Sequence, residues 1–343
     1  MGRLGRRGNG RKSKAGRKNT GDGEHYVVEA ILSDALVGGL QMYEVKWAGY
    51  GSDHDQWINE ADLNCPELLG EYRATHAANT ADVSGFYELM NGMRDCPPIV
   101  VTNTVDTDGG PRDFEFINSS IYTDDVPRPC TPLFACACTD GCEAACACVR
   151  GRSYGADGRV LVAPHTPLLE CGPQCACDMR CWTRVVQRGT RVKLEIRRFA
   201  RKGWGVVARG AVARGSFVAE YVGELITFEE AEARGKVDVA RGLTYLFDLD
   251  MAGSGRDVAD FSIDAHRHGN VSHFFNHSCE PNMDVYPVYI EHRDPRLHRL
   301  GFFAARDIAA GEELTFDYNP SAEPGAAMFA CACGAPTCRG NIL

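Results

Sequence analysis

The sequence predicts an α+β protein that is mostly β and is divided into several small domains. From residue 191 onward, short apolar runs rich in β-branched and aromatic residues are separated by glycines, which is typical of short strands. Most of the 16 cysteines crowd into two clusters. The length of 343 residues allows about two domains of roughly 150 residues, and a hydrophobic content of 44% is ordinary for a folded core.

The N-terminal segment is strongly basic, whereas the rest of the chain is acidic. Eight of the 37 Lys and Arg residues lie within residues 1–20, which hold no acid, so the remainder carries 29 basic groups against 46 acidic ones. Residues 1–23 contain almost no apolar side chains, and we expect them to be a disordered tail. Such a tail is typical of contact with DNA or RNA, or of a nuclear import signal.

Residues 24–70 predict a small module of three strands and a helix. The first two strands begin at Tyr26 and Met42, and Trp57 lies in a third. Pro66 opens the helix, because proline is tolerated in a first helical turn. The module holds one Lys or Arg against nine acids, so it suits a basic partner.

The rest of the chain divides by composition into four further segments. They are a linker at 71–96, a cysteine-rich segment at 97–190, a strand-rich region at 191–319 and a C-terminal cysteine segment at 320–343. Within the strand-rich region a helix is predicted at residues 228–234, where Thr227 and Glu230 have the spacing of a capping box.

The first cluster contains nine cysteines within 46 residues. Because no secretory signal precedes it, the expected compartment is reducing, and zinc binding is favoured over the alternative of disulfides or free thiols. Nine thiolates can supply four bonds to each of three zinc ions if three of the thiolates each bridge two metals and the other six each bind one metal. Such closed sites are structural, since they leave no open position for a substrate. The nine residues are Cys136, Cys138, Cys142, Cys146, Cys148, Cys171, Cys175, Cys177 and Cys181.

The second cluster is Cys331, Cys333 and Cys338, which leaves a tetrahedral zinc site one ligand short. We expect Cys65, Cys96 and Cys130 to be buried or incidental thiols. No apolar run approaches the ~20 residues of a membrane helix, and no apolar stretch follows the basic N-terminus. We therefore expect neither a membrane protein nor a secreted one.

Three motifs flanked by the cysteine clusters resemble the SET-domain protein lysine methyltransferases. They are Gly203-Trp204-Gly205, Asn276-His277-Ser278-Cys279 and Glu313-Leu314-Thr315-Phe316-Asp317-Tyr318. The last three segments match, in order, a pre-SET, a SET and a post-SET region, as in the suppressor-of-variegation class that methylates lysine 9 of histone H3. The resemblance implies a SET domain of short curled sheets with a knot-like C-terminal crossing.

The module at 24–70 is similar to a chromodomain, through Tyr26-Val27-Val28-Glu29 and Lys46-Trp47-Ala48-Gly49-Tyr50. Chromodomain, pre-SET, SET and post-SET together are the layout of the heterochromatin methyltransferases. This layout implies a nuclear, chromatin-bound protein that acts in gene silencing. Its expected partners are the histone H3 tail, the nucleosome and other heterochromatin proteins.

The family resemblance also implies a cofactor, S-adenosylmethionine, and a fourth ligand for the C-terminal zinc. Cys279 is the candidate ligand, so one zinc is expected in the post-SET region besides three in the pre-SET region. Glycines suit a backbone that approaches a cofactor closely. The residues implied at the cofactor are Lys202, Gly203, Trp204, Gly205, Tyr245, His273, Asn276, His277 and Tyr318.

The catalytic residues implied by the family are Tyr318, Tyr245, Phe316 and His277. A lysine amine must lose its proton before it attacks a methyl group, and burial in an apolar channel favours that loss. A tyrosine hydroxyl at position 318 would orient the amine. Phe316 lacks the hydroxyl that a tyrosine would use to hold a water there, which predicts di- or trimethylated products.

Three aromatics of the module match the cage with which chromodomains bind methylated lysine: Tyr26, Trp47 and Tyr50. Ring faces attract a quaternary ammonium by about 0.5–2 kcal/mol per contact. The peptide would add as a strand beside residues 26–29. We expect Trp57, by contrast, to be a core aromatic.

Two positions depart from the family pattern. His273 stands where many SET methyltransferases carry arginine, which suggests modest intrinsic activity. Asn341 and Leu343 stand where the family often has aromatics that close the lysine channel, although Phe329 is nearby in the sequence.

Two alternatives to an active methyltransferase stay open. The first is a methyl-lysine reader or scaffold with a weak or inactive SET domain, and the second is a secreted disulfide-rich protein.

Overall fold

The computed structural model describes two compact units, Met1–Thr80 and Ala81–Leu343. No described helix is both long enough and apolar enough to cross a membrane. The residues that the structure describes are 16–19, 25–37, 40–50, 54–79, 83–91, 98–129, 135–139, 142, 146, 148, 153–241, 245–250, 259–318 and 329–342.

The first unit is an antiparallel sheet in the order β1-β2-β3-β4, with one helix. Its core contains Val28, Tyr43, Val45 and Ile58 from the sheet, and Leu69 from the helix. The three predicted strands and the helix are therefore present. The elements are β1 (Gly16–Asn19), β2 (His25–Val37), β3 (Leu40–Trp47), β4 (Gln56–Asn59), a 3₁₀ turn (Glu60–Asp62) and α1 (Pro66–Asn79).

The first unit differs from the sequence prediction at both of its ends. Residues 1–23 are predicted to be disordered, yet β1 pairs in antiparallel fashion with β2, with Lys18 opposite Tyr26. A strand added at a sheet edge is held by backbone hydrogen bonds, so it needs no apolar side chains. At the other end, α1 continues to Asn79, nine residues into the predicted linker.

The described part of the second unit consists of short strands and two helices. Its elements are α2 (Ser84–Asn91), β5 (Val100–Thr102), β6 (Glu115–Phe116), β7 (Ile121–Tyr122), β8 (Leu168–Leu169), β9 (Leu194–Phe199), β10 (Gly203–Ala208), β11 (Phe217–Tyr221), β12 (Glu224–Thr227), α3 (Phe228–Arg241), β13 (Leu246–Asp248), β14 (Phe261–Asp264), β15 (His268–Gly269), β16 (Asn276–His277), β17 (Met283–Tyr289), β18 (Arg299–Ala304), β19 (Thr315–Phe316), β20 (Phe329–Ala330) and β21 (Asn341–Ile342), with 3₁₀ turns at Val186–Arg188 and Val271–Phe274.

These strands form several small sheets around a common core. The larger sheets have the orders β10-β9-β5, β11-β18-β17-β8 and β13-β14-β12-β7. A large apolar cluster between them buries Ile196, Phe275 and Phe302. Thr227 Oγ1 accepts from the backbone N–H of Glu230 at 3.3 Å, as a capping residue does, and α3 runs on from there to Arg241.

Part of the predicted linker belongs to this second unit as α2. Phe86 and Met90 lie four residues apart, so both face the same side of the helix, and both are buried in the large apolar cluster. Packing of this one face, which the mixed composition of 71–96 conceals, is what orders the helix.

The C-terminal segment returns to the middle of the unit. There β19 pairs in parallel with β16, so that Asn276 lies beside Thr315 and His277 beside Phe316. This short pair brings the second and third sequence motifs together.

Candidate active site and cysteine clusters

A cavity of about 300 Å³ lies where the three motifs meet. Seven of the nine predicted cofactor residues line it, while Gly205 and His277 are absent from its wall. The lining residues are Asp108, Gly110, Pro111, Arg198, Lys202, Gly203, Trp204, Tyr245, His273, Phe274, Asn276 and Tyr318.

A largely buried carboxylate, that of Glu313, connects the first motif to the second. Glu313 accepts from Lys202 Nζ at 2.6 Å and from Asn276 Nδ2 at 2.9 Å, and so fixes two lining residues. A Cβ atom on Gly205 would lie 2.6 Å from Asn276 Nδ2 and 2.9 Å from Glu313 Oε1. Glycine is required at 205 to admit this network, although it does not touch the cavity. At Gly203 the φ of +78° is a conformation that favours glycine.

The indole of Trp204 forms one wall of the cavity. Phe86 packs edge-on against it, with 5.1 Å between ring centroids, and the Arg198 guanidinium lies 5.6 Å from its centroid. Its Nε1 donates to Asp108 at 3.2 Å. Asp106 accepts from Arg198 Nε at 3.0 Å. Two carboxylates of the cysteine-rich segment thus position the Arg198 guanidinium and the Trp204 indole.

His273 and Tyr245 form a stacked pair in the opposite wall. Their ring centroids are 4.2 Å apart and their planes differ by 9°. His273 Nδ1 lies 2.7 Å from the carbonyl oxygen of Ala265, so this nitrogen is the donor and the ring is a neutral Nδ1–H tautomer. Burial lowers the pKa of His273 to about 4, which keeps the ring uncharged at neutral pH.

Tyr318 projects into the cavity from the segment that follows β19. Its hydroxyl donates to the carbonyl oxygen of Phe275 at 2.7 Å. Its backbone N–H donates to His277 Nδ1 at 3.2 Å, so His277 fixes the backbone of Tyr318. Burial raises the pKa of the Tyr318 phenol above its usual value, and the hydroxyl therefore stays protonated.

Aromatic rings surround the Tyr318 side chain. Phe316 is 6% exposed, and its centroid lies 4.7 Å from that of Tyr318 and 4.8 Å from that of Phe302. Phe247 stacks on Phe316 at 6.1 Å and packs against Tyr221 at 5.4 Å. Such surroundings disfavour a charged ammonium.

The C-terminal cysteines form a closed group with the second motif. The sulfurs of Cys279, Cys331, Cys333 and Cys338 all lie within 4.8 Å of one another. Backbone N–H groups donate to all four sulfurs, as from Arg339 to Cys279 at 3.4 Å. Four cysteines in this arrangement suit a tetrahedral zinc ion.

The first cluster is organised around a central triangle of sulfurs. Cys136, Cys142 and Cys171 are separated by 3.5, 4.0 and 3.2 Å. Each cysteine of this triangle belongs to at least two groups of four whose sulfurs all lie within 4.8 Å of one another. The groups are Cys136, Cys142, Cys171 and Cys177; Cys136, Cys138, Cys142 and Cys146; and Cys136, Cys148, Cys171 and Cys175. Cys181 is 2% exposed in the same cluster. No disulfide joins the cysteines that the structure describes, and the cluster suits zinc binding.

The three predicted cage aromatics lie side by side in the first unit. The Tyr26 centroid is 6.0 Å from that of Trp47 and 6.0 Å from that of Tyr50. Trp47 is 6% exposed and Tyr50 is 44% exposed. The expectation for Trp57 is wrong: its side chain is 46% exposed, because it points away from the face of β4 that buries Ile58.

Comparisons with known proteins agree with this arrangement. Family models match at residues 26–75 (Chromo, CHRromatin Organisation MOdifier, domain), 91–184 (Pre-SET motif) and 203–319 (SET domain). The Histone-lysine N-methyltransferase SUV39H2 of Homo sapiens is 35% identical over 93% of this chain and 89% of its own length. SUV39H1-A of Danio rerio is 37% identical over 87% of this chain and 80% of its own.

The chain belongs to the SUV39 family of SET-domain histone-lysine N-methyltransferases.

Solved structures share the fold of this chain. KRYPTONITE in complex with mCHG DNA and SAH aligns with a TM-score of 0.65 and 28% identity, over 92% of this chain and 61% of that one. The Neurospora histone lysine methyltransferase DIM-5 aligns with a TM-score of 0.59 and 32% identity, over 69% of this chain and all of that one. The predicted family and fold class are thereby confirmed.

Sequence reasoning missed several residues that shape this SUV39-type cavity. Arg198 had a detectable signal, since a β9–β10 hairpin places it opposite Trp204. Glu313 lies within a quoted motif, but nothing in the pattern gave it a role. Asp108, Gly110 and Pro111 come from a loop that no motif marks, and only the folded chain brings it to the cavity.

Proposed function

We propose that this protein transfers methyl groups from S-adenosylmethionine to lysine 9 of histone H3, yielding di- and trimethyllysine. The observation that carries the proposal is the convergence of Tyr245, Asn276 and Tyr318 on one cavity beside the Gly203–Trp204 backbone. Polar side chains on one wall and aromatic rings on another suit a cofactor that is part nucleoside and part amino acid.

The residues expected to hold the cofactor are those of the cavity wall, with Gly205 and His277 supporting them. When bound, the cofactor supplies an electrophilic methyl group. The protein's own contribution is to bring a neutral lysine amine in line with that group. The Tyr318 hydroxyl orients the amine, and Tyr245 borders the same space. Positioning and exclusion of water supply the acceleration, and no covalent intermediate is required.

The number of methyl groups transferred to one lysine depends on the space beside its amine. The Phe316 ring lies next to Tyr318 and carries no hydroxyl. No water can be held there by residue 316, so the amine can rotate after each transfer. We therefore expect di- and trimethyl products.

The thirteen predicted cysteine ligands divide into one site of four and one cluster of nine. The central triangle of sulfurs supports bridging roles for Cys136, Cys142 and Cys171. The remaining six cysteines of the cluster would then be terminal ligands, two for each of three zinc ions. Cys279 would complete the fourth zinc site and tie the second motif to the post-SET segment.

The first unit has the features of a methyl-lysine reader. Tyr26, Trp47 and Tyr50 present three rings within reach of one ammonium group. Acting with the SET unit, it would retain the enzyme on methylated nucleosomes in nuclear heterochromatin. The basic tail, whose residues 1–15 lie outside those described, would contact DNA or RNA, and other heterochromatin proteins are expected partners.

The test is transfer of labelled methyl groups to histone H3 tail peptides in which each lysine is replaced in turn. Loss of labelling only in the peptide without lysine 9 is the expected result. Tyr318→Phe should abolish most labelling, whereas Tyr289→Phe, a buried tyrosine outside the cavity, should retain it. Absence of labelling on every peptide would instead favour a reader with an inactive SET domain.

A further inference from the structure

One stretch of the catalytic unit is basic although the unit is acidic. Residues 184–214 hold ten basic residues and one acid, within a unit (residues 81–343) that holds 27 basic and 35 acidic residues. Some of these cations have structural roles. Arg197 pairs with Glu195 at 2.8 Å, and the cavity residues Arg198 and Lys202 have the acidic partners described above. Methyl transfer gives no role to the others.

Several of the others line a second cavity, of about 650 Å³, which we call the basic groove. The Gly158, Gly189 and Gly210 segments form its walls. Its charged lining residues are Asp157, Arg159, Arg188, Arg191 and Lys193, a formal charge of +3.

The cations of the basic groove are poorly neutralised. Asp157 pairs with Arg159 at 2.8 Å, but both side chains are about half exposed, and such a pair is worth little. Within the described part of the chain, no carboxylate forms an ion pair with Arg188, Arg191 or Lys193. Like charges in one concavity repel one another unless an anion lies among them. This arrangement favours an anionic ligand.

The uncharged residues that line the basic groove indicate which class of anionic ligand it can bind. Phe217 is its one aromatic residue and is 9% exposed, so no ring is available to stack on an unpaired base. The remaining lining residues are small, such as Val192 and Ala213, and none is a large exposed apolar anchor of the kind that dominates protein interfaces. Arginine and lysine without such anchors are typical of contact with phosphate groups.

We infer that the basic groove binds the phosphate backbone of duplex DNA without regard to sequence. Arg191 and Lys193 are exposed and contact phosphates directly, while the half-buried Arg188 adds positive charge. The site lies on the catalytic unit and shares no lining residue with the cofactor cavity. It does not depend on the identity of the methylated lysine.

The test uses the full-length chain with the six basic residues between Arg3 and Lys14 changed to glutamine, so that the tail does not mask the groove. Anisotropy of a labelled 20-base-pair duplex is followed at several KCl concentrations, with Arg191→Glu/Lys193→Glu against a matched control, Arg128→Glu/Lys236→Glu. The control changes the net charge equally at exposed positions outside the groove. Duplex RNA, single-stranded DNA and an acidic peptide are run beside it.

The groove variant should bind duplex DNA at least tenfold more weakly than the parent. Its slope of log affinity against log salt should be smaller by about 2, since each lost phosphate contact removes about 0.9. Methyl transfer to free peptide should be unchanged, which separates this result from the proposed activity. Equal loss in the control, unchanged DNA binding, or loss confined to RNA, single strands or the peptide would overturn the inference.

Discussion

At the scale of single residues, protonation decides how activity depends on pH. His273, with a pKa of about 4, and Tyr318, whose pKa is raised above its ordinary value, both stay neutral between pH 6 and 10. The substrate amine, with an unperturbed pKa near 10.4, is the group that must lose a proton. We expect kcat/KM on free peptide to rise steadily with pH from 7 to 9.

The measurement is a pH–rate profile of the wild-type chain and of Tyr318→Phe. The two profiles should be parallel, because Tyr318 does not ionise in this range. An inflection near pH 6.5, or a fall below pH 10 that disappears in Tyr318→Phe, would show that an enzyme residue titrates in the wild type.

Phe316 provides a second prediction at this scale. Phe316→Tyr adds one hydroxyl next to Tyr318, where it can hold a water molecule in the space that a methylated amine needs. Products should shift from di- and trimethyl to mainly monomethyl, as followed by mass spectrometry at long reaction times. Phe303→Tyr, at a buried ring outside the cavity, is the control. A wild-type chain that yields only monomethyllysine would contradict the assignment.

At the scale of elements, α2 supports the cofactor cavity from behind. Phe86→Ala should destabilise the second unit by about 3–5 kcal/mol, as expected for a buried aromatic. It should also raise the KM for S-adenosylmethionine, because the Phe86 ring packs against Trp204. Tyr87→Ala, at a 42% exposed position on the same helix, should do neither. Urea unfolding and cofactor titration measure the two effects.

The same helix illustrates what the sequence could and could not predict. Strands such as β9 and β11 lie in the region where short strands are predicted, because apolar runs and the glycines between them are local properties of the sequence. α2 has only two buried apolar residues, and a composition average over 71–96 hides them. Its order comes from packing on distant strands, which no local pattern contains.

Positions within an element were harder to predict than the element itself. β4 was expected, but which of its faces is buried depends on pairing with β3, and Trp57 lies on the exposed face. The loop that places Asp108 at the cavity depends on Asn103, whose side chain bonds to Asp106 and to the Asp108 carbonyl. Such a side-chain network leaves no periodic trace in a sequence.

At the scale of the whole molecule, the two units allow reading and catalysis to be separated. Tyr50→Ala should weaken binding to trimethylated peptide by about 2- to 30-fold, which corresponds to one cation–π contact of about 0.5–2 kcal/mol. Activity on free unmethylated peptide should not change. Tyr50 suits this test better than Trp47, which is also part of the core.

Trp57→Ala is the matched control for this variant, since it removes an exposed aromatic of the same unit. Calorimetry with trimethylated and unmethylated peptides measures the difference. Equal weakening by both variants would remove the cage assignment.

Metal content tests how the catalytic unit is held together. About four zinc ions per chain are expected by emission spectroscopy, three in the nine-cysteine cluster and one beside Cys279. Cys142→Ser removes a thiol of the central triangle and should release two zinc ions or more. Cys138→Ser, outside the triangle, should release no more than one, and Cys65→Ser, in the core of the first unit, none. Equal losses for Cys142→Ser and Cys138→Ser would contradict the bridging assignment.

Chelation extends this test to the whole chain. Both cysteine clusters lie in the second unit, whereas no cysteine group within the described part of the first unit could hold a metal. Removal of zinc should therefore abolish methyl transfer while binding of trimethylated peptide to the first unit persists. Circular dichroism and peptide calorimetry on the same chelated sample give both readings. Loss of peptide binding together with activity would show that the two units do not fold independently.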